Sequence, residues 1–592
     1  MRSRISRMDQ RPPLTRAASE SDSGSRYNGL AMKYGSAIDA RHRPQHTPAI
    51  GGLLKSLLRS ALAVVIAAVL LASAHAQTPP TVRVQNGASQ LIVNSKPFLL
   101  LGGELGNSSA GTAAQADTIL PRLAGLHFNT VLMPVAWNQI EPQEGSFDFS
   151  ILDHWIEVAR RQHLHLVLLW FGSWKNAFSE YAPPWVLRDT RRFPREISAQ
   201  GLPLAILSPF GEQTMQSDAR AFTALMRHLR DENDTQHTVL MVQVENEIGY
   251  LGLGGRDRSP AANHLFNGPV PPQLSTALAA LHADLPRKFA AGFHPDAKTW
   301  TQMFGDRADE VFMAWSYARF VNQVAENGKH AYDLPMYMNA QLPAPFERAG
   351  EYPSGGPYPL MQAIYRVAAP SINFYAPDIY WPDFAHWVNE YQAAGNPVFI
   401  PEARLDQAPL NALYALGEAR GFGFSPFAVD SLPAAASHAP PLLSAEYQAL
   451  SQLSNTILNA QANGKIRALV LHASSPRPSR TIALDGFLFH ATLARGWPAK
   501  QLLADDGAMM VIQSAPDEFY ILGSGLTVHF LRNPDVDGQI AGISSIDELE
   551  NVNGQWITKR RLNGDQSDQG RALLMSPHQF GVYRVKLYTF SR

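Results

Sequence analysis

The chain has 592 residues, 45% of them hydrophobic and 17% charged, with no cysteine and with 50 Lys+Arg against 51 Asp+Glu. It is long enough to bury a large core and too apolar for a disordered protein, and the missing cysteines exclude a disulfide framework, a thiolate metal site and a Cys nucleophile. The formal charge of -1 argues against general nucleic-acid binding, which needs a basic surface to neutralise phosphates.

That balance conceals an asymmetry. Residues 1–76 carry 11 Lys+Arg and 4 Asp+Glu, a charge of +7, which leaves 39 against 47, or -8, for residues 77–592. Lys55 and Arg59 precede the apolar run Ala61–Ala72, and Ala74-His75-Ala76 has the small-x-small form of a signal-peptidase site. The run is shorter than the roughly 20 residues that span a bilayer. It is therefore read as a signal peptide cleaved after Ala76, with the mature chain starting at Gln77, periplasmic or secreted and free of the membrane. An uncleaved anchor is the competing reading. Residues 1–50, rich in Arg, Ser and Pro, exceed an ordinary leader, which suggests that they are not translated and that the start lies nearer Leu53 or Leu54.

The mature chain opens with a hairpin over residues 77–96: Thr81–Gln85, a turn at Asn86-Gly87, then Gln90–Val93 and a second turn at Asn94-Ser95-Lys96. Eight short apolar runs follow: Pro97–Gly103, Thr130–Val135, Leu164–Trp170, Val239–Glu245, Leu334–Asn339, Ser371–Tyr375, Pro397–Pro401 and Gly421–Phe427. Amphipathic segments such as Phe149–Gln162 and Ser217–Arg230 lie between them with apolar residues at helical spacing. Eight buried strands alternating with helices predict an α/β fold, a (β/α)8 TIM barrel over residues 97–464, with a doubly wound open sheet as the competing arrangement. From residue 465 onward the runs become short and turn-bounded, as in Ala468–His472, Ala508–Gln513 and Glu518–Leu522, predicting a C-terminal antiparallel β-sandwich.

In such a barrel the chemistry belongs at the C-terminal ends of the strands. The fourth run ends Gln243-Val-Glu-Asn-Glu-Ile-Gly249 and the seventh ends Ile400-Pro-Glu402-Ala-Arg404, so each puts a carboxylate where a strand meets its loop. Glycoside hydrolysis needs such a pair, one acid to protonate the departing oxygen and one carboxylate to attack or to activate water. Glu245 and Glu247 share strand parity, which predicts that both face the mouth. The alternative for any one glutamate is a buried ion pair, for example with Arg404.

The run Val244-Glu-Asn-Glu-Ile-Gly249, together with Trp137-Asn-Gln-Ile-Glu-Pro-Gln-Glu-Gly-Ser-Phe-Asp148, resembles the retaining (β/α)8 glycoside hydrolases, and among them the family 35 β-galactosidases. The resemblance covers about residues 85–430. It implies Glu247 as general acid/base, Asn246 as partner of the sugar 2-hydroxyl, Glu402 as nucleophile, and carboxyls roughly 5–5.5 Å apart. The chain departs from the family where Ala403 and Arg404 follow Glu402 in place of aromatic residues, and near Pro134 on strand two, where a tyrosine is common.

Further candidates surround the pair. Trp170 and Trp174 sit where an aromatic-rich loop leaves strand three, as stacking platforms for sugar C–H faces. Glu104 ends strand one as an acceptor for sugar hydroxyls, and Tyr375 and Tyr380 flank Asp378 after strand six, where a tyrosine near the nucleophile suits the related enzymes. Glu141 reads as structural. His163 and His165 lack a third ligand, so no metal is expected. Gly252, Gly254 and Gly255 precede no Lys-Ser/Thr, Gly523-Ser-Gly525 is a turn, and no cofactor motif is present. The expected activity is a retaining exo-β-galactosidase acting on β-galactoside oligosaccharide or plant cell-wall polysaccharide. An endo-β-glycanase or other β-glycosidase, and a non-catalytic glycan-binding protein, are the alternatives.

Overall fold

The computed structural model describes residues 78–592 except 233–235, 282, 284, 434–441, 475–478, 497–501, 534–537, 578 and 592. The expected leader and its cleavage site lie outside the described residues. Among those described, no helix is long and apolar enough to cross a membrane.

Strands β1 (Thr81–Gln85), β2 (Ala88–Val93) and β3 (Lys96–Phe98) form a three-stranded antiparallel sheet. The parallel strands are β4 (Leu100–Glu104), β5 (Thr130–Ala136), β6 (His165–Lys175), β9 (Val239–Asn246), β10 (Met336–Gln341), β11 (Phe374–Ile379), β12 (Phe399–Ile400), β13 (Glu402–Ala403) and β14 (Gly423–Phe424). A short hairpin, β7 (Arg195–Ile197) and β8 (Pro203–Leu207), is inserted after β6 and has no counterpart in the sequence reading. The parallel sheet runs β12-β14-β4-β5-β6-β9-β10-β11-β13. Its two ends are the halves of one strand, split at Pro401, which has no N–H to give a ladder. The half before Pro401 pairs with β14 and the half after it with β11. The sheet therefore closes on itself as an eight-stranded TIM barrel, not an open doubly wound sheet, and all eight expected strands occur in order.

Alternate residues fill the barrel. Leu100, Leu132, Val167, Leu169, Phe171, Tyr337, Phe374, Ala376, Phe399 and Phe422 form one buried cluster, as the period of two requires when one face of each strand points inward. Tyr337 stacks on Phe374 with centroids 5.3 Å apart, and Phe399 on Phe422 at 5.1 Å. Leu91 and Val93 of β2 join the same cluster. Ser89 Oγ accepts from Val398 N at 2.7 Å, and Ser89 N donates to Arg420 O at 3.0 Å, just before strands seven and eight. The N-terminal sheet thus caps the bottom of the barrel and leaves the strands' C-terminal ends as its open face.

The outer layer is helical. Helix Ser150–Arg161 falls one residue inside the expected Phe149–Gln162 at each end, whereas the next helix runs Glu212–Glu232, longer than its apolar periodicity suggested, burying Phe222, Leu225, Met226 and Leu229. Beyond the barrel come β15 (Ile466–His472), β16 (Ser479–Leu484), β17 (Phe487–Leu493), β18 (Asp506–Ala515), β19 (Glu518–Ser524), β20 (Leu526–Arg532), β21 (Ile540–Val552), β22 (Gln555–Arg561), β23 (Ala572–Leu574) and β24 (Gly581–Phe590). They make two antiparallel sheets, β15-β18-β19-β24-β21-β22 and β16-β17-β20-β23. Leu469, Met509 and Val511 point into the sandwich with Phe487, Phe489 and Phe519, while Ala468, Met510 and Ile512, one residue out of phase, pack on the barrel's core. Both faces of β15 and β18 are buried, which fastens the sandwich to the barrel.

One buried acid stands apart from any partner. Glu446, on helix Leu442–Gln452, is wholly buried and neither carboxyl oxygen has a hydrogen-bond partner among the described residues. Burial raises its pKa well above the ordinary 4.5. A folded-state pKa above the unfolded one gives a stability contribution that is full at low pH and lost as pH rises toward the folded value. Thermal unfolding at pH 8 should therefore give Glu446→Gln a higher Tm than the wild type, with the gap closing toward pH 5.

Candidate active site

Strand β9 ends in a reversal of the backbone. Glu245 has φ +62° and Glu247 φ +43°, a left-handed conformation that costs a non-glycine residue on the order of 1–2 kcal/mol. Strand parity fails here as a result, and the two glutamates do not both face the mouth. Glu245 is turned into the layer behind the wall, where it accepts from Trp174 N at 2.8 Å and Ser173 N at 3.2 Å beside Asp218. Burial raises the pKa of Glu245 first, and the charge of Asp218 adds to it.

Glu247 faces the opposite way. Its backbone N–H donates to Asn339 Oδ1 at 2.9 Å, and its Oε2 accepts from Asn176 Nδ2. Asn339 Nδ2 donates in turn to Asp378 Oδ2 at 2.6 Å. Lys175 Nζ donates to Asn246 Oδ1 at 2.9 Å, which fixes the amide and leaves Asn246 Nδ2 without an acceptor among the described residues. Glu402, at the start of β13, accepts from the Tyr380 hydroxyl on Oε1 and hydrogen-bonds with the carboxyl of Glu104. Asp378 is paired in register with Glu402 across β11 and β13.

These groups surround a cavity of about 410 Å³ whose walls include Glu247, Glu402, Asp378, Lys175, Asn176 and Tyr380. Burial, then the charge of Glu402, pushes Glu247 up to about 7, with Lys175 acting in the opposite direction. Burial also raises Glu104 and Asp378 well above the carboxylate range, and Glu402 is the leading charge in both cases. Glu104 shares a carboxyl–carboxyl hydrogen bond with Glu402, and Asp378 shares one with Glu247. The arrangement is a proton-holding carboxyl facing a tyrosine-bound carboxylate, each hydrogen-bonded to a further buried acid.

Of the residues singled out in the sequence, Glu104, Asn246, Glu247, Tyr380 and Glu402 gather here. Three aromatic candidates do not. Trp170 is outside the barrel: Val167, Leu169 and Phe171 take the inward positions, and Trp170 packs on Phe222 with Nε1 donating to Asp218 Oδ1 at 2.9 Å. Trp174 is fully buried against Tyr317 and Phe320, donating to Leu207 O at 3.0 Å. Tyr375 lies one residue out of phase with the inward Phe374 and Ala376 and packs on Tyr365. Besides Tyr380, the rings that line the cavity are Trp381 and Phe427. Lys175, Asn176, Asn339, Trp381 and Phe427 escaped the sequence reading. The available signal was position, since each lies at or just past the C-terminal end of a barrel strand. Arg404 pairs with Asp406 at 2.7 Å and not with Glu402. Glu141 holds its loop as expected, accepting from Trp137 Nε1 at 2.9 Å, Gly145 N at 2.8 Å and Arg220 at 3.0 Å.

The reversal at Glu245 depends on Gly172. A Cβ there would lie 2.4 Å from Trp170 Nε1, 2.7 Å from Glu245 Oε1 and 2.8 Å from Asp218 Oδ2. Gly172→Ala should cost about 1–3 kcal/mol of stability by overpacking, read as a fall in the denaturant midpoint at unchanged slope.

Residues 110–267 match the glycoside hydrolase family 42 β-galactosidase model, and residues 443–574 match a domain of unknown function, DUF5597. A β-galactosidase of Xanthomonas manihotis is 31% identical over 207 residues, covering 33% of this chain and 31% of that protein. The match thus spans about a third of the relative's length. Among solved structures, a β-galactosidase from Bacillus circulans sp. alkalophilus aligns at 11% identity and TM-score 0.44, covering 83% of this chain and 99% of that one. A β-mannanase from the blue mussel Mytilus edulis aligns at 13% and 0.39, covering 64% and 97%. Residues 110–267 thus resemble a β-galactosidase-family segment, and they lie within a barrel of the TIM type.

Proposed function

We propose that this protein is an exported, retaining exo-β-galactosidase that removes terminal β-galactosyl residues from oligosaccharides or plant cell-wall polysaccharide. The observation that carries the reading is the meeting of Glu247 and Glu402 in one cavity, with Glu247 pushed up to about 7. A general acid works best with a pKa near the operating pH, and Glu247 has it.

In the first step a carboxylate oxygen of Glu402 attacks the anomeric carbon while Glu247 gives its proton to the departing glycosidic oxygen. In the second, Glu247 takes a proton from water, whose oxygen displaces Glu402. Tyr380, bound to Glu402 Oε1, holds the nucleophile's orientation. Asn246 Nδ2 offers a donor for a sugar hydroxyl, and the carboxyls of Glu104 and Asp378, bonded to Glu402 and Glu247, hold the pair in place. The rings of Trp381 and Phe427 present apolar faces to the sugar's C–H surface.

Hydrolysis of a panel of aryl β-glycosides tests the specificity, with β-galactoside expected to be cleaved and the anomeric configuration of the first-formed product, read by NMR, expected to be retained. Cleavage of another glycoside alone refutes the galactosidase assignment and leaves the chemistry standing; an inverted product refutes retention. Glu247→Gln should lower kcat by about 10²–10⁴ on substrates with poor leaving groups, and Glu402→Gln should abolish turnover. Full activity in both variants refutes the assignment of the pair, and no hydrolysis of any glycoside points to a glycan-binding protein.

Because the acid must be protonated, kcat/KM should fall on the alkaline side with an apparent pKa near 7, the value held by Glu247 in the free enzyme. An alkaline limb beginning above pH 9 contradicts Glu247 as that acid. Export is tested by intact mass of the protein recovered outside the cytoplasm, expected to begin at Gln77; recovery there with Met1 still attached overturns cleavage.

A further inference from the structure

A cavity of about 450 Å³, somewhat larger than the one holding Glu247 and Glu402, opens between helix Leu442–Gln452 and strands β21, β22 and β24. It shares no wall residue with the catalytic cavity. Its size is that of a small-ligand site, about 300–1,000 Å³.

The charged groups in its walls cancel. Glu548 and Glu550 are matched by Lys559 and Arg560, and Glu548 accepts from Lys559 Nζ at 3.0 Å and Arg560 Nε at 2.5 Å. No net charge is left to attract an ionic ligand. Gln448 and Gln452 on the helix, with Gln566 and Gln579 across from them, contribute side-chain amides that are unengaged among the described residues. Each amide can both donate and accept, which an apolar ligand would waste. Trp556 and Tyr583 bring rings to the same walls, and the indole Nε1 of Trp556 has no acceptor among the described residues. Rings beside neutral two-way amides complement a ligand with apolar C–H faces and a hydroxyl rim.

We propose that this groove is a second carbohydrate site, binding a short stretch of uncharged polysaccharide away from the catalytic cavity. The inference rests on the reading of the substrate as a glycan, but it concerns binding and not hydrolysis. A chain held at the groove is tethered to the molecule that carries the catalytic cavity, which raises its effective concentration there by multivalency.

The test is affinity electrophoresis of the full chain through gels containing soluble galactan, galactomannan or arabinogalactan, beside hydrolysis of an aryl β-galactoside. Retardation is expected in at least one gel. Trp556→Ala should weaken it about fivefold by removing a stacking ring. Gln448→Ala/Gln452→Ala, on exposed helix positions that leave the fold intact, should weaken it severalfold. Both variants should keep wild-type kcat/KM on the small substrate. No retardation in any gel, or retardation that survives both groove variants, overturns the proposal. Failure of the aryl substrate to react would count against the galactosidase reading alone, because retardation is measured without turnover.

Discussion

The site depends on keeping a crowd of carboxyl groups out of water. Glu104, Glu247, Asp378 and Glu402 share one barrel mouth, and Lys175 is the cation that opposes them there. Desolvation disfavours every added negative charge in such a place, and each ionised neighbour raises the cost for the next. Protons are thereby retained on some members at a pH where carboxyls in water have lost them. The backbone arranges this at a conformational expense: the left-handed turns at Glu245 and Glu247 send successive acids to opposite sides of the wall.

The two acids of β9 consequently do different work. Glu245 sits with Asp218 behind the wall and receives the backbone N–H groups of Ser173 and Trp174, so it fixes the end of β6. That strand end carries Lys175 and Asn176, which reach Asn246 and Glu247. An acid with no place in the mouth thus sets the positions of the two side chains that orient Glu247 and the neighbouring amide of Asn246.

Much of the barrel was legible in the sequence because apolar runs of strand length separated by amphipathic helices have few other solutions. Glu247 and Glu402 were legible for a related reason, since a closed parallel barrel puts strand ends on one face. The aromatic candidates failed on phase. In a strand, Trp170 and Phe171 face opposite ways, and composition of a loop carries no record of which residues fall inward. Parity itself failed at Glu245, where a positive φ that glutamate rarely adopts rotates the chain. The inserted hairpin β7–β8 was unreadable because its strands are short and its pairing is local to an insertion. Asn339 was hidden by its ordinary appearance at the end of a hydrophobic strand, although its amide ties Glu247 to Asp378.

The break at Pro401 has a mechanical meaning for Glu402. The barrel is stitched closed on either side of this residue by different partners, and Glu402 lies on the side joined to β11, the strand that leads directly to Asp378 and Tyr380. The carboxylate and the hydroxyl that orients it therefore ride on one hydrogen-bonded ribbon. The seam with the eighth strand closes before Pro401, so the Glu402–Tyr380 contact lies wholly within the β11–β13 pairing.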